Sequence, residues 1–299
     1  MLIFEDGGSW LKGNFHMHTT ESDGRLVPSE AIRLYREAGY DFIALSDHRR
    51  INAQREEDGF LILTGSEWDT GDLEHVPVYH ILGIGMDRPM RNIYRYAADL
   101  YHRQPLPQEI VDAVNEAGGI AILAHPAWSV MTPEEIRSLH GLAGAEIYNT
   151  VSGLPWNPGR ADASLYFDIW AKEGVFLNCF AGDDAHYYRG DELKSYTRVG
   201  AMELTRESIL DAIRKKRFYA SQGPVFDYLA LEGDTVVAGC GEEDVTVVFI
   251  TNTPWGRNNI QPFSGRGEYR FHLNYTDTYF RVELIRGDGK KAWSSPYAL

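Results

Sequence analysis

Residues 107–126 read PQEIVDAVNEAGGIAILAHP. Pro107 to Ala117 carries apolar residues at helical spacing, and Gly118-Gly119 stops the pattern. Ile120 to Ala124 is then a short, near-continuous apolar run, as in a strand buried on both faces. His125 follows directly at the strand's end. Helix, glycine stop, buried strand and polar residue form one α/β unit.

The same unit recurs on both sides. Upstream, Asn14 to His18 is a short strand candidate, and Pro28 to Ala38 reads as a helix that Gly39 ends. Phe42 to Ser46, Leu61 to Gly65 and Val78 to Ile84 are further apolar runs. Downstream, Thr132 caps a helix over Pro133 to Leu139. Ala145 to Tyr148 and Val175 to Ala181 read as strands around a helix over Asp162 to Glu173. Val199 to Leu204 and a helix over Glu207 to Lys216 follow. Strands alternating with helices predict a parallel sheet with helices outside it. About seven repeats within some 220 residues predict a distorted (β/α)7 barrel rather than an open sheet.

From Pro224 onward helical periodicity is absent. Tyr228–Leu231, Val245–Ile250, Tyr269–Leu273 and Phe280–Ile285 are short runs between Gly, Asn and Asp turns. The expectation is a barrel over residues 1–223 and a small all-β, sandwich-like unit over 224–299.

Composition narrows the function. The chain has 299 residues, 43% of them hydrophobic, which excludes disorder, coiled coil and collagen-like repeats. Acidic residues outnumber basic ones 43 to 29, a net charge of −14. That argues against a nucleic-acid partner, whose phosphates need Lys and Arg, and leaves carboxylates to hold cations. Two cysteines, Cys179 and Cys240, are too few for a disulfide framework. Neither a signal-peptide pattern nor a run of about 18 apolar residues occurs. The expectation is a cytoplasmic protein without a membrane partner. Its oligomeric state is not legible.

Chemistry collects at the predicted strand ends. His16 and His18 close the first strand, His48 and Glu67 follow the next two, and His80 lies within the fourth. His125 follows the fifth, and Asp184 and His186 follow Val175–Ala181. In a parallel barrel these ends share one rim, where barrel active sites form. Imidazole and carboxylate suit Zn, Mn and Fe alike. An HxH pair on a strand points both rings to one side. With 10 histidines in the chain, about a third of such a pair arises by chance, so the weight rests on the whole set.

In order, NFHMHTTESDG, SDH, GSE, YHILGIG, AHP and GDDAH over residues 14–186 resemble the polymerase and histidinol phosphatase (PHP) domain family of metal-dependent phosphoesterases. The resemblance implies a distorted (β/α)7 barrel with two or three divalent metal ions. It implies His16, His18, Asp23, His48, Glu67, His80, His125, Asp184 and His186 as ligands. His75 is a second candidate for the place of His80, and Asp183 is expected to support the ligands. RFYASQGP and YFRVELIRGDGKKAWSSPYAL resemble the C-terminal part of a PHP branch that includes carbaryl-hydrolase-like enzymes.

Three expectations follow. The first is hydrolysis of a small phosphate ester, with Glu67 and Asp184 bridging or holding metals and His186 or His125 as proton donor. The second is hydrolysis of a carboxylic or carbamate ester on the same centre. The third is a metal-stabilised scaffold without activity. Arg160, in the loop NTVSGLPWNPGRAD, is the preferred anion-binding candidate, with Arg49 and Arg50 beside it. Trp68, Trp128, Tyr187 and Tyr188 are pocket-wall or packing candidates. His102, His140 and His272 read as structural.

Overall fold

The computed structural model describes residues 1–6, 9–70, 78–93, 105–265 and 267–299. The chain begins with β1 (Leu2–Glu5), β2 (Leu11–Asn14), α1 (Pro28–Glu37), β3 (Phe42–Ala44), β4 (Arg55–Glu57), β5 (Phe60–Leu63), β6 (Gly65–Thr70) and β7 (Tyr79–Ile84). It continues with α2 (Pro107–Glu116), β8 (Ile120–Leu123), α3 (Pro133–Arg137), β9 (Leu142–Asn149), α4 (Ser164–Lys172), β10 (Cys179–Gly182), β11 (Tyr196–Val199), α5 (Arg206–Arg214) and β12 (Phe218–Ser221). Strands alone follow among the described residues: β13 (Tyr228–Glu232), β14 (Thr235–Gly239), β15 (Val245–Thr251), β16 (Ile260–Gln261), β17 (Glu268–His272), β18 (Tyr279–Arg286), β19 (Lys291–Trp293) and β20 (Tyr297–Ala298).

The helices lie within a few residues of their predicted spans because local chemistry sets their ends. Gly39 and Gly118 take φ of +74° and +83° just past α1 and α2, a conformation that strains any residue with a Cβ. Thr132 Oγ1 accepts from Glu135 N at 3.3 Å and caps α3. α1 buries Ala31, Ile32 and Tyr35, and α2 buries Ile110, Val111, Ala113 and Val114. These are the apolar stripes read from the sequence.

The sheet pairing corrects the expectation of a parallel barrel. One sheet has the order β10-β9-β8-β7-β6. Its first three strands are mutually parallel, but β7 runs antiparallel to both β8 and β6. The reason is length: only residues 71–78 separate β6 from β7, too few for a crossover helix. A second sheet carries β2, β3 and β5 in parallel, with β4 antiparallel at the edge. The sheets do not close into a ring among the described residues. Two isolated parallel bridges link them, His48 to Glu67 and Met17 to Ala185.

The all-β part is built into this framework. β12 pairs antiparallel with β11 and with β19, so the second sheet continues through β19, β18, β15 and β16. A third sheet, β1-β13-β14-β17, takes its edge strand from the start of the chain. Phe4, Leu229, Val236 and Phe271 from that sheet pack against Val247, Phe249, Val282 and Leu284 from the other. β15 alternates buried and half-buried residues along its length, as a strand with one core face must.

Candidate metal centre

His16 and His18 lie beyond β2 rather than on it. Asn14 ends the ladder, because its side chain donates to His16 O at 3.1 Å and turns the chain away from strand pairing. The two rings still converge, each placing Nε2 3.1 Å from Asp184 Oδ1. Glu67 lies inside β6 rather than after a strand, opposite Leu82 of β7. His125 and Asp184 have φ of 26° and 53° immediately beyond β8 and β10. Non-glycine residues in this region cost of order 1–3 kcal/mol, and such strain collects at functional sites.

Nine side chains predicted from the sequence meet in three overlapping groups, each with its ligand atoms within 4.8 Å of one another. They are His16, His18, Glu67 and Asp184; His18, Asp23, His48 and His186; and Glu67, His80 and His125. Glu67 links two of them, with Oε2 3.1 Å from His18 Nε2 and Oε1 2.8 Å from His80 Nδ1. Asp23 Oδ2 stands 3.5 Å from His186 Nε2 and 3.7 Å from His48 Nε2. His16 Nε2, His18 Nε2, His48 Nδ1, Glu67 Oε2 and Asp184 Oδ1 are buried and lie 3.1–3.4 Å from one another without hydrogen-bond geometry. Polar atoms are rarely left so, since each orphan costs about 1–3 kcal/mol. A cation held by His16, His18, Glu67 and Asp184 would satisfy four of them together, and imidazole with carboxylate is the ligand chemistry of Zn, Mn and Fe.

A supporting layer, largely missed in the sequence, holds these groups. Glu146 on β9 is buried, with Oε1 2.9 Å from His16 Nδ1. Its Oε2 accepts from His125 N at 2.9 Å and Asn149 Nδ2 at 2.8 Å. A carboxylate within a buried strand run was the available signal, because it must have partners there. Gly182 permits this packing: a Cβ on it would lie 2.5 Å from Glu146 Oε1 and 2.9 Å from the Cβ of His16. Asp47 accepts from Thr19 N and Oγ1 at 2.7 and 2.8 Å and from Ser22 Oγ at 2.9 Å, fixing the loop before Asp23. Asp183 accepts from Tyr35 OH at 2.7 Å and from the amides of Leu193, Lys194 and Ser195. Burial pushes the Asp183 carboxyl up to about 6, against those hydrogen bonds.

The charges inside the cluster are interdependent. Burial disfavours charge on His16, but Asp184, Glu146 and Glu67 outweigh it and raise its pKa well above the ordinary value. His186 is lifted to about 9 against burial, mainly by Asp184 and Asp23. Glu67 and Asp184 are held well below the usual carboxylate range, where His16 and its neighbours outweigh burial. His48 moves down instead, because desolvation dominates there. Protons and a metal ion compete for these atoms.

The cluster opens into a cavity of about 280 Å³, walled also by Trp128, Val151, Ser152, Asn157 and Tyr187. Trp128 packs on His125 with ring centroids 5.0 Å apart, whereas Trp68 is in the core. Tyr188 donates to His18 O at 2.6 Å. None of the three arginine candidates reaches the wall. Arg49 pairs with Asp69, Arg50 pairs with Glu21 at 2.9 Å, and Arg160 is exposed. Among the described residues, no Arg or Lys lines the cavity. His140 and His272 are exposed and belong to none of the three groups, whereas His75 and His102 lie outside the described residues.

No protein-family profile matches the chain, and no curated protein does. Among solved structures, a two-domain protein from Bacteroides vulgatus containing a predicted PHP-like metal-dependent phosphoesterase is similar with a TM-score of 0.54 and 15% identity. That match covers 100% of this chain and 97% of the other. An amidohydrolase from Chromobacterium violaceum is 17% identical, with a TM-score of 0.43 over 60% of this chain and 89% of its own. A protein from Bifidobacterium adolescentis, named as a metal-dependent phosphoesterase, is 17% identical, with a TM-score of 0.38 over 68% of this chain and 96% of its own. Along its whole length, the chain shares the fold of that two-domain protein from Bacteroides vulgatus.

Proposed function

We propose that the protein is a metal-dependent hydrolase of small phosphate esters, with two or three divalent ions held by the nine clustered side chains. The observation that carries this reading is the packing of five buried nitrogen and oxygen atoms against one another without hydrogen-bond geometry, beside an open cavity that His48, Glu67 and Asp184 line. The reading extends to the architecture. The two strand arrays, joined by the bridges His48–Glu67 and Met17–Ala185, would be the halves of a distorted barrel over residues 1–223, apart from β1, which pairs with the β unit over 224–299. When bound, divalent ions lower the pKa of water and neutralise charge that develops on ester oxygens. Glu67 and Asp184 would keep neighbouring groups of donors in register, each through both carboxylate oxygens. His186 lines the cavity; as a ligand its ring would be held neutral, so its lifted pKa describes the metal-free centre, where protons take the place of ions. Glu146 fixes the His16 ring through Nδ1, which leaves Nε2 for the cluster.

A second reading keeps the centre and changes the substrate to a carboxylic or carbamate ester. The wall of Trp128, Val151 and Tyr187, without Arg or Lys among the described residues, favours it.

One experiment separates these. Chromogenic phosphate monoester, phosphate diester, carboxylic ester and aryl carbamate are offered with Mn or Zn, and with chelator. Chelator-sensitive turnover of the phosphate esters is expected, with loss of both turnover and bound metal in His16→Ala and Asp184→Ala. Turnover confined to the carbamate or carboxylic ester would replace the first reading with the second. Wild-type rates and metal content in both variants would overturn the site itself.

A further inference from the structure

The cavity wall lacks an Arg or Lys among the described residues, yet one guanidinium lies over Tyr187, a residue of that wall. Arg25 follows directly on Asp23-Gly24, and its amide donates to His186 O at 2.8 Å. Its backbone is thereby tied to the cluster. Its side chain rises over Tyr187, with the guanidinium carbon 5.1 Å from the ring centroid. Tyr187 lines the cavity, and its ring lies 6.2 Å from that of His186. The guanidinium is therefore within about 11 Å of the His186 ring. Trp156 packs edge-on against Tyr187 at 5.9 Å and steadies the platform. Arg49 and Arg50 are each engaged by a carboxylate, whereas no carboxylate engages Arg25 among the described residues.

From this geometry we propose that Arg25, stacked on Tyr187, is the binding site for a second anionic group of the substrate. The preferred substrates are then esters whose leaving group carries a carboxylate or phosphate of its own, one substrate length from the bond that breaks. The inference rests on the hydrolase reading for the location of the scissile ester. Its separate physical basis is stacking: a guanidinium over an aromatic face keeps all its N–H donors free at the edge for bidentate recognition of an oxyanion. Arg25 is not among the residues that line the cavity, so its guanidinium reads the remainder of the molecule rather than the scissile phosphate. Gly24 is what brings the loop so close, since a Cβ there would lie 2.2 Å from His18 O.

The test compares non-hydrolysable pairs on the full, metal-loaded chain by calorimetry: phenylphosphonate and 4-carboxyphenylphosphonate. Wild type should bind the carboxylated compound about tenfold more tightly. Arg25→Gln should bring that ratio near one, and Arg25→Lys should retain part of it, because the charge remains but the planar fork is lost. Tyr187→Leu should reduce the ratio as well, by freeing the guanidinium from its platform. A wild-type ratio near one, no binding of either compound, or the full ratio surviving in Arg25→Gln each overturns the proposal. Turnover of the matching phosphates is followed in parallel. If the binding ratio depends on Arg25 but neither phosphate turns over, the hydrolase reading fails and the anion site stands.

Discussion

At the residue scale, the cluster depends on groups that orient its rings. Glu146 uses one oxygen for His16 and the other for two N–H donors. A Gln in its place must turn an NH2 group towards one of those sides. Glu146→Gln should therefore lower metal affinity about 10–100-fold, read as metal retained after dialysis against graded chelator. Unchanged retention would show that Glu146 does not orient the ring. His186, lifted to about 9, gives a second prediction. A raised imidazole pKa stabilises the folded chain fully below its ordinary value of 6.5, and the contribution is lost as pH rises through about 9. Chelator-treated protein should lose thermal stability between those limits, and metal-loaded protein should lose less. The depressed Glu67 and Asp184 act only in acid, whereas His16, His18 and His80 are raised as well and add to the loss in the same direction. A flat melting temperature from pH 6.5 to 9 without metal would contradict the assignment.

At the element scale, one hydrogen bond ties a helix to the end of a strand. Tyr35 on α1 is fully buried, and its hydroxyl donates to Asp183 just beyond β10. Asp183 in turn holds the amides of 193–195, so α1, β10 and the loop that leads into β11 share one carboxylate. Tyr35→Phe removes a bond to a buried carboxyl, worth about 1–3 kcal/mol. The expected result is a melting temperature lower by a few degrees with metal content retained. Loss of metal without loss of stability would mean that the bond serves the site and not the scaffold.

At the scale of the whole molecule, a buried ion network joins the β unit to the α/β part. Arg281 on β18 is 1% exposed and holds Asp168 of α4 through two bonds of 2.6 and 2.8 Å, with Glu283 at 2.6 Å. Lys291 reaches Asp162 at 2.9 Å, at the end of the loop that carries Ser152 and Asn157 to the cavity. Removing the buried cation strands two carboxylates, a loss of about 3–5 kcal/mol. Arg281→Ala should show that loss in denaturant unfolding, and an effect below about 1 kcal/mol would show that β12–β19 pairing and contacts such as Lys291–Asp162 hold the two parts without it.

The sequence by itself determined the helices, the β-rich end and the nine clustering side chains. Each of these is written locally: glycine stops and caps for the helices, alternating apolar residues for the strands, His and acidic residues at strand ends for the cluster. The direction of β7 was partly legible too, since a connection of residues 71–78 cannot hold a crossover helix. Only the tertiary structure decided the rest. It placed His16 and His18 beyond β2, brought Glu146 against His16 and Arg25 over Tyr187, and kept Arg49, Arg50 and Arg160 off the cavity wall. It also gave the first strand of the chain to the β unit at its far end. These are contacts between residues distant in sequence, fixed by strand register and packing, and no local pattern of residue types encodes them.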